Sequence, residues 1–140
     1  MKSKIYIVAG EFHREISEVM VHAVKENAYD LGMEIIDVIW IPGAFEAPFV
    51  IKEIFETKKC EGVVLLGYVE KGETMHGEVI GKTVAAKLLD LQLEYRKPIG
   101  FGMIGPGATQ EQAKARMENS AKGAINAVAK MCQFKNEINK

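Results

Sequence analysis

Cysteine, tryptophan, proline and histidine are all scarce in this chain: two, one, four and three copies in 140 residues. Cys60 and Cys132 lack metal-ligand spacing and have no histidine nearby, which argues against a Cys/His metal site. Both read as reduced thiols packed as small apolar groups in a cytoplasmic setting, with a disulfide between them the lesser reading. Charge of one sign is also lacking. The formal net charge is -1, so no bulk field draws the chain to nucleic acid or to an anionic membrane. No apolar run approaches the ~18 residues needed to span a bilayer. The first residues, MKSKIYIVAGEF, start basic, but their apolar part is too short for a signal peptide and reads as a strand. Linkers, repeats and low-complexity segments are absent too, so residues 1–140 read as a single domain.

Four apolar, strand-like runs are present: IYIVA (5–9), EIIDVIWI (34–41), GVVLLGYV (62–69) and PIGFGMI (98–104). Three are short and continuous, as expected where both faces of a sheet are covered. The second carries Asp37 and reads as lying nearer an edge. Helical patterns separate the runs. Residues 14–31 place Ile16, Met20, Ala23 and Val24 at near-helical spacing, with Gly32 as a stop. Residues 45–57 and 75–94 carry further apolar stripes, and a last helix follows the Gly-Pro-Gly turn. Thr109 and Gln112 are spaced there as a capping box, and the final residues, FKNEINK, read as a frayed polar tail. Four alternations of strand and helix predict an α/β fold, with a parallel sheet between helical layers.

In such a sheet, ligands bind beyond the carboxyl ends of the strands. The segments leaving those ends are AGEFHRE, IPGAFEAP, GYVEKGETMHGE and IGPGATQ. They put Phe12, His13, Phe45, Glu46, Glu73, Thr74 and His76 on one edge. Each segment contains glycine, which a tight turn alone would explain. Four turns that also carry aromatic, acidic and imidazole groups point to a site. Gly72, Glu73 and Thr74 precede a helix start, where free N–H groups and the helix dipole favour an anion. A plain turn with Thr74 as N-cap fits the same residues. His76 stands in the first helical turn, where an imidazole can pass protons both ways. Phe12, just past a strand end, can stack on a planar ring. Trp40 reads as core packing and His22 as structural. Arg116 faces either solvent, with Lys114 and Lys122, or an anion.

Taken together, PGAFE (42–46), LLGYV with GETMH (72–76), FGMI (101–104), QAKAR (112–116) and EFHREI (11–16) resemble the lumazine synthase family, in its archaeal branch. The likeness covers nearly the whole chain. It implies a flavodoxin-like three-layer α/β/α sandwich with a four-stranded parallel sheet. It also implies condensation of 5-amino-6-(D-ribitylamino)uracil with 3,4-dihydroxy-2-butanone 4-phosphate, without metal or cofactor. The partners it implies are small-molecule substrates and further copies of the chain, as a pentamer or a pentamer-based shell, with the active site at the subunit interface. By position, His76 matches the proton-transferring histidine. Gly72, Glu73 and Thr74 match the phosphate turn, and Arg116 matches an arginine reaching that phosphate from the adjacent subunit. Phe12 and His13 match contacts to the pyrimidine, Val69 and Glu70 match backbone contacts to it, and Phe101 matches an aromatic from the neighbour. Ala44, Phe45 and Glu46 match the ribityl contacts, and Lys122 is a further, looser match.

The sequence departs from the family pattern at three residues, and the longer insertion around the last helices of many shell-forming members is short or absent, which leaves pentamer or shell open. Lys71 stands where arginine is common, Gly77 where many members have an aromatic, and Asn126 nearest to a usual acid. Two other readings use the same residues: an archaeal-type riboflavin synthase, and a non-catalytic flavin- or lumazine-binding shell protein. A third is an unrelated flavodoxin-like binding module.

Overall fold

The computed structural model describes residues 2–72 and 74–140. Among these residues, four strands alternate with four α-helices. The strands are β1 (Ser3–Gly10), β2 (Met33–Ile41), β3 (Gly62–Glu70) and β4 (Ile99–Ala108). The helices are α1 (Arg14–Asp30), α2 (Ala47–Thr57), α3 (His76–Tyr95) and α4 (Gln110–Ile138), with a short 3₁₀ turn at Ala44–Glu46. The strands form one parallel sheet in the order β2-β1-β3-β4.

β1 and β3 are central, and strand side chains alternate between faces. Ile5, Ile7, Val64 and Leu66 meet α1 and α4 on one face. Tyr6, Val8, Val63 and Leu65 meet α2 and α3 on the other. The result is the flavodoxin-like α/β/α sandwich. β2 does lie at an edge, as Asp37 indicated. Its pairing with β1 shifts between Ile5 and Tyr6, and the Asp37 carboxylate accepts from the Val38 N–H at 2.8 Å. Trp40 is half-buried against the α1/α4 layer, with the Arg14 guanidinium 4.0 Å over its ring. Cys60 and Cys132 are buried free thiols, and burial pushes both thiols up.

Two elements run longer than the sequence pattern suggested. β4 does not stop at Ile104 but continues through Gly105-Pro106-Gly107 to Ala108. The Tyr68 hydroxyl and the Lys71 N–H both donate to the Ala108 carbonyl, at 2.7 and 3.0 Å, and hold that extension to the end of β3. The polar tail is helical to Ile138 rather than frayed. Lys135 Nζ donates to the Arg96 carbonyl, and Gln133 donates to Glu137 at 3.1 Å one turn on.

α4 lies unusually close to the sheet. A Cβ at Gly100 would stand 2.4 Å from the Ala124 carbonyl oxygen, and one at Gly102 would stand 3.2 Å from the Ala124 methyl. Only small side chains on both sides permit this approach. α4 supplies the buried Ala124 there, and Ala113 and Ala121 are buried elsewhere along the helix. Its start carries the full capping box: Thr109 Oγ1 accepts from the Gln112 N–H, and Gln112 Oε1 accepts from the Thr109 N–H. Among the described residues, no helix is long and apolar enough to cross a membrane.

Candidate active site

From β1 the chain moves outward to β2 on one side, and β3 continues to β4 on the other. The connections leaving β1 and β3 therefore part, and a crevice opens beyond their carboxyl ends. A cleft of about 510 Å³ occupies that place. Its floor is apolar: Leu65, Leu66, Ile80 and Met103. One wall is the segment from Ile41 to Glu46, and the other is made by Val69 to Gly72 with Thr74, His76 and Gly77.

Nine residues singled out in the sequence line this one cleft: Phe12, Ala44, Phe45, Glu46, Val69, Glu70, Gly72, Thr74 and His76. Phe12 and Phe45 leave 63% and 70% of their surface exposed, so two aromatic faces are free to meet a planar guest. Glu73 lies outside the described residues.

α3 begins one residue later than a Thr74 N-cap would put it. Met75 occupies the cap position without a side-chain bond, while Thr74 Oγ1 accepts from the His76 N–H at 3.3 Å. The next residue is what lets this turn sit so low over β3. A Cβ at Gly77 would be 3.2 Å from the Glu70 carbonyl oxygen. An aromatic there would have to displace the turn or turn outward. The first N–H groups of α3, which have no partner within the helix, thus come to the cleft together with the exposed His76. The arrangement suits an anionic group held beside an acid–base imidazole.

Five other residues from the sequence reading do not line the cleft. His13 adopts a left-handed backbone (φ 59°) at the start of α1, and its ring packs between Phe12 and Tyr68, with centroids at 4.7 and 4.8 Å. Its Nε2 lies 3.1 Å from Glu70 Oε2. Arg116 is exposed on α4 and donates only to the Gln112 carbonyl of its own helix, at 3.3 Å, among the described residues. Lys122 is half-buried further along α4. Phe101, 46% exposed on the edge strand β4, borders a shallow apolar hollow with Ala85, Leu88, Leu89 and Ile99. Asn126 is exposed on α4.

The sequence reading overlooked Tyr68 and Gln110. Tyr68 lies within an apolar strand run, where nothing separates it from core. Burial, and then the Glu70 carboxylate, push its phenol up. Gln110 follows the capping threonine, and its Nε2 lies 3.4 Å from Glu70 Oε1. Gly10, Ile80 and Met103 also line the cleft and carry no signal beyond hydrophobicity or turn formation. Among the described residues, no three His, Cys, Asp or Glu side chains gather closely enough to hold a metal ion.

Comparison with known proteins shows the family. Residues 2–136 match the family model of 6,7-dimethyl-8-ribityllumazine synthase. A protein of that name from Staphylothermus marinus is 43% identical over 129 residues, covering 92% of this chain and 86% of the relative. One from Metallosphaera sedula is 41% identical, covering 93% and 86%. One from Saccharolobus solfataricus is 40% identical, covering 93% and 84%. A match running from the first strand nearly to the end of α4 leaves no element of the fold outside it, and the chain belongs to the 6,7-dimethyl-8-ribityllumazine synthase family.

Proposed function

We propose that the cleft between β1 and β3 is where this chain condenses 5-amino-6-(D-ribitylamino)uracil with 3,4-dihydroxy-2-butanone 4-phosphate. The product is 6,7-dimethyl-8-ribityllumazine, with phosphate and water released. The observation that carries this reading is the convergence of nine residues from three loops on one cleft with an imidazole at a helix start.

The roles follow from chemistry. The uracil's amine adds to the ketone carbonyl, forms a carbinolamine, and loses water to give a Schiff base. Loss of phosphate then requires removal of a proton from the adjacent carbon. His76 accepts and returns protons in these steps, a contribution of about 10²–10⁴-fold for a positioned acid–base group. The N–H groups around Gly72, Glu73 and Thr74 hold the phosphate ester. Phe12 stacks on the pyrimidine, the backbone of Val69 and Glu70 reads its edge, and Glu46 accepts from ribityl hydroxyls beside Ala44 and Phe45. Bringing two substrates together in one cleft contributes further through effective molarity.

Among the described residues, Lys71 is the one lysine or arginine that lines the cleft, so the phosphate end has room for a further cationic wall. We assign that wall to Arg116 of an adjacent copy, with Phe101 and Lys122 also presented across the boundary. The edge strand β4 and the apolar hollow beside Phe101 support a homo-oligomer. Its form, a pentamer or a pentamer-based shell, and its place in the cytoplasm are read from the family resemblance. The test is direct: purified protein is given both substrates and product absorbance is followed. Appearance of the lumazine is expected. Turnover of lumazine to riboflavin instead would favour a riboflavin synthase. Binding of lumazine without turnover would favour a non-catalytic protein.

A further inference from the structure

Beside the cleft, outside its lining, His13 and Gln110 meet the carboxylate of Glu70, contacts that the proposed chemistry does not use. His13 follows β1 and Glu70 ends β3, two strands that send the chain in opposite directions. The β1–β3 ladder pairs residues only as far as Ala9 and Leu66, short of both His13 and Glu70. Yet His13 Nε2 and Glu70 Oε2 are 3.1 Å apart, and Glu70 Oε1 is 3.4 Å from Gln110 Nε2 at the start of α4. One carboxylate thus joins three elements at the topological switch point.

His13 is suited to more than closing a gap. Its side chain is 12% exposed, held edge-on by Phe12 and against the ring of Tyr68. Phe12 itself is mostly exposed and has no other aromatic support among the described residues. The Glu70 backbone is one of the groups proposed to read the pyrimidine, and its carboxylate is the one that meets His13 and Gln110. The Tyr68 hydroxyl and the Lys71 N–H, on either side of Glu70, are both fixed to the Ala108 carbonyl. The phosphate end of the cleft, at Gly72 to His76, makes none of these bonds among the described residues.

We infer that His13 and Glu70, steadied by Gln110, form a positioning brace that sets the spacing between the Phe12 ring and the Glu70 backbone. It thereby tunes binding of the ring substrate and leaves the phosphorylated ketone untouched. This inference rests on the proposed reaction. The brace acts through Phe12 and the Glu70 backbone rather than on reacting atoms. A hydrogen bond to a charged group, once lost, costs enough to change affinity about tenfold.

The experiment compares wild type with His13→Asn, Glu70→Ala, Glu70→Gln and the double variant H13N/E70A. Asparagine tolerates the left-handed backbone that His13 adopts, so H13N removes the ring and its bond without straining the turn. E70Q keeps an acceptor for His13, and Gln110 can turn its amide to match. With wild-type turnover established, H13N and E70A should each raise the KM for the ribitylamino-uracil about tenfold. KM for the phosphorylated ketone and kcat should change less than about twofold, and E70Q should recover most of the loss. The double variant should be no worse than either single one, because both break the same link. Unchanged uracil KM in both single variants would overturn the brace. So would both KM values rising together, or losses that multiply in the double variant. Absence of lumazine formation by wild type would instead overturn the reaction itself. E70A and E70Q alter a partly exposed side chain, so they keep the test open should H13N fail to fold.

Discussion

At the scale of single residues, the proposed reaction divides the cleft into a side that performs chemistry and a side that holds. His76 belongs to the first. It is exposed, and its backbone N–H is already occupied by Thr74 Oγ1, so only the ring is free to act. His76→Ala should lower kcat by about 10²–10⁴-fold with the KM values little changed, read from steady-state product absorbance. Residual turnover is expected, because two substrates still meet in the cleft. Complete loss in a folded, substrate-binding variant would contradict a role confined to proton transfer. Arg116 should behave differently. Its removal should raise the KM for the phosphorylated ketone, since a guanidinium binds phosphate by paired, charge-assisted bonds. An unchanged KM would remove it from the phosphate site. Some of this was readable from the sequence. His76, Thr74 and Gly72 follow one another at a strand-to-helix junction, and adjacency alone predicts their neighbourhood. The His13–Glu70 contact spans 57 positions, and no local pattern signals it.

At the scale of elements, helices and strands were legible wherever apolar spacing was regular. The four runs became the four strands, and the Thr109/Gln112 capping box is present as spaced. The errors arose where tertiary bonds overrule local composition. Gly105-Pro106-Gly107 has the composition of a turn, yet two donors from the end of β3 keep it extended. The polar end of α4 lacks apolar spacing but is held by Lys135 on the Arg96 carbonyl. The close contact of β4 with α4 was equally hidden, because glycine in a strand reads as weakness rather than as fit. Gly100→Ala tests that fit. With only 2.4 Å to the Ala124 carbonyl oxygen, the new methyl must push the helix away. A loss of about 1–3 kcal/mol is expected from denaturant unfolding, as for overpacked sites generally. A loss below about 0.5 kcal/mol, the range of ordinary surface changes, would show that α4 has slack there.

At the scale of the whole molecule, the sheet has one half-exposed edge at β2 and another at β4, and the two differ. β2 carries its bulge and Asp37, features that discourage edge pairing. β4 presents Phe101 beside Leu89, 46% and 59% exposed, over an apolar hollow. Burying that patch against a second copy is the economical explanation for large apolar groups left in water. Light scattering should give a mass about five times the 15.5 kDa chain, or a multiple of that for a closed shell. A monomer at micromolar concentration would contradict the assembly and leave the phosphate end without its arginine. Fold class was visible in the alternation of strand and helix. What could not be read was which side chains stand inside a single chain's cleft and which face outward, because a one-dimensional pattern gives burial but not the neighbour that completes it.

The seating of α4 on glycine has a reach of its own. At 1.5 Å per residue this 29-residue helix is about 43 Å long, and it is gripped near its middle, at Ala124. Gln110 and Arg116 ride on its leading end. Any change that lifts or slides the rod at the grip is carried undiminished to that tip, roughly four turns away. A methyl group hidden on the back of the sheet would then throw substrate recognition out of alignment at the front, in a protein still fully folded.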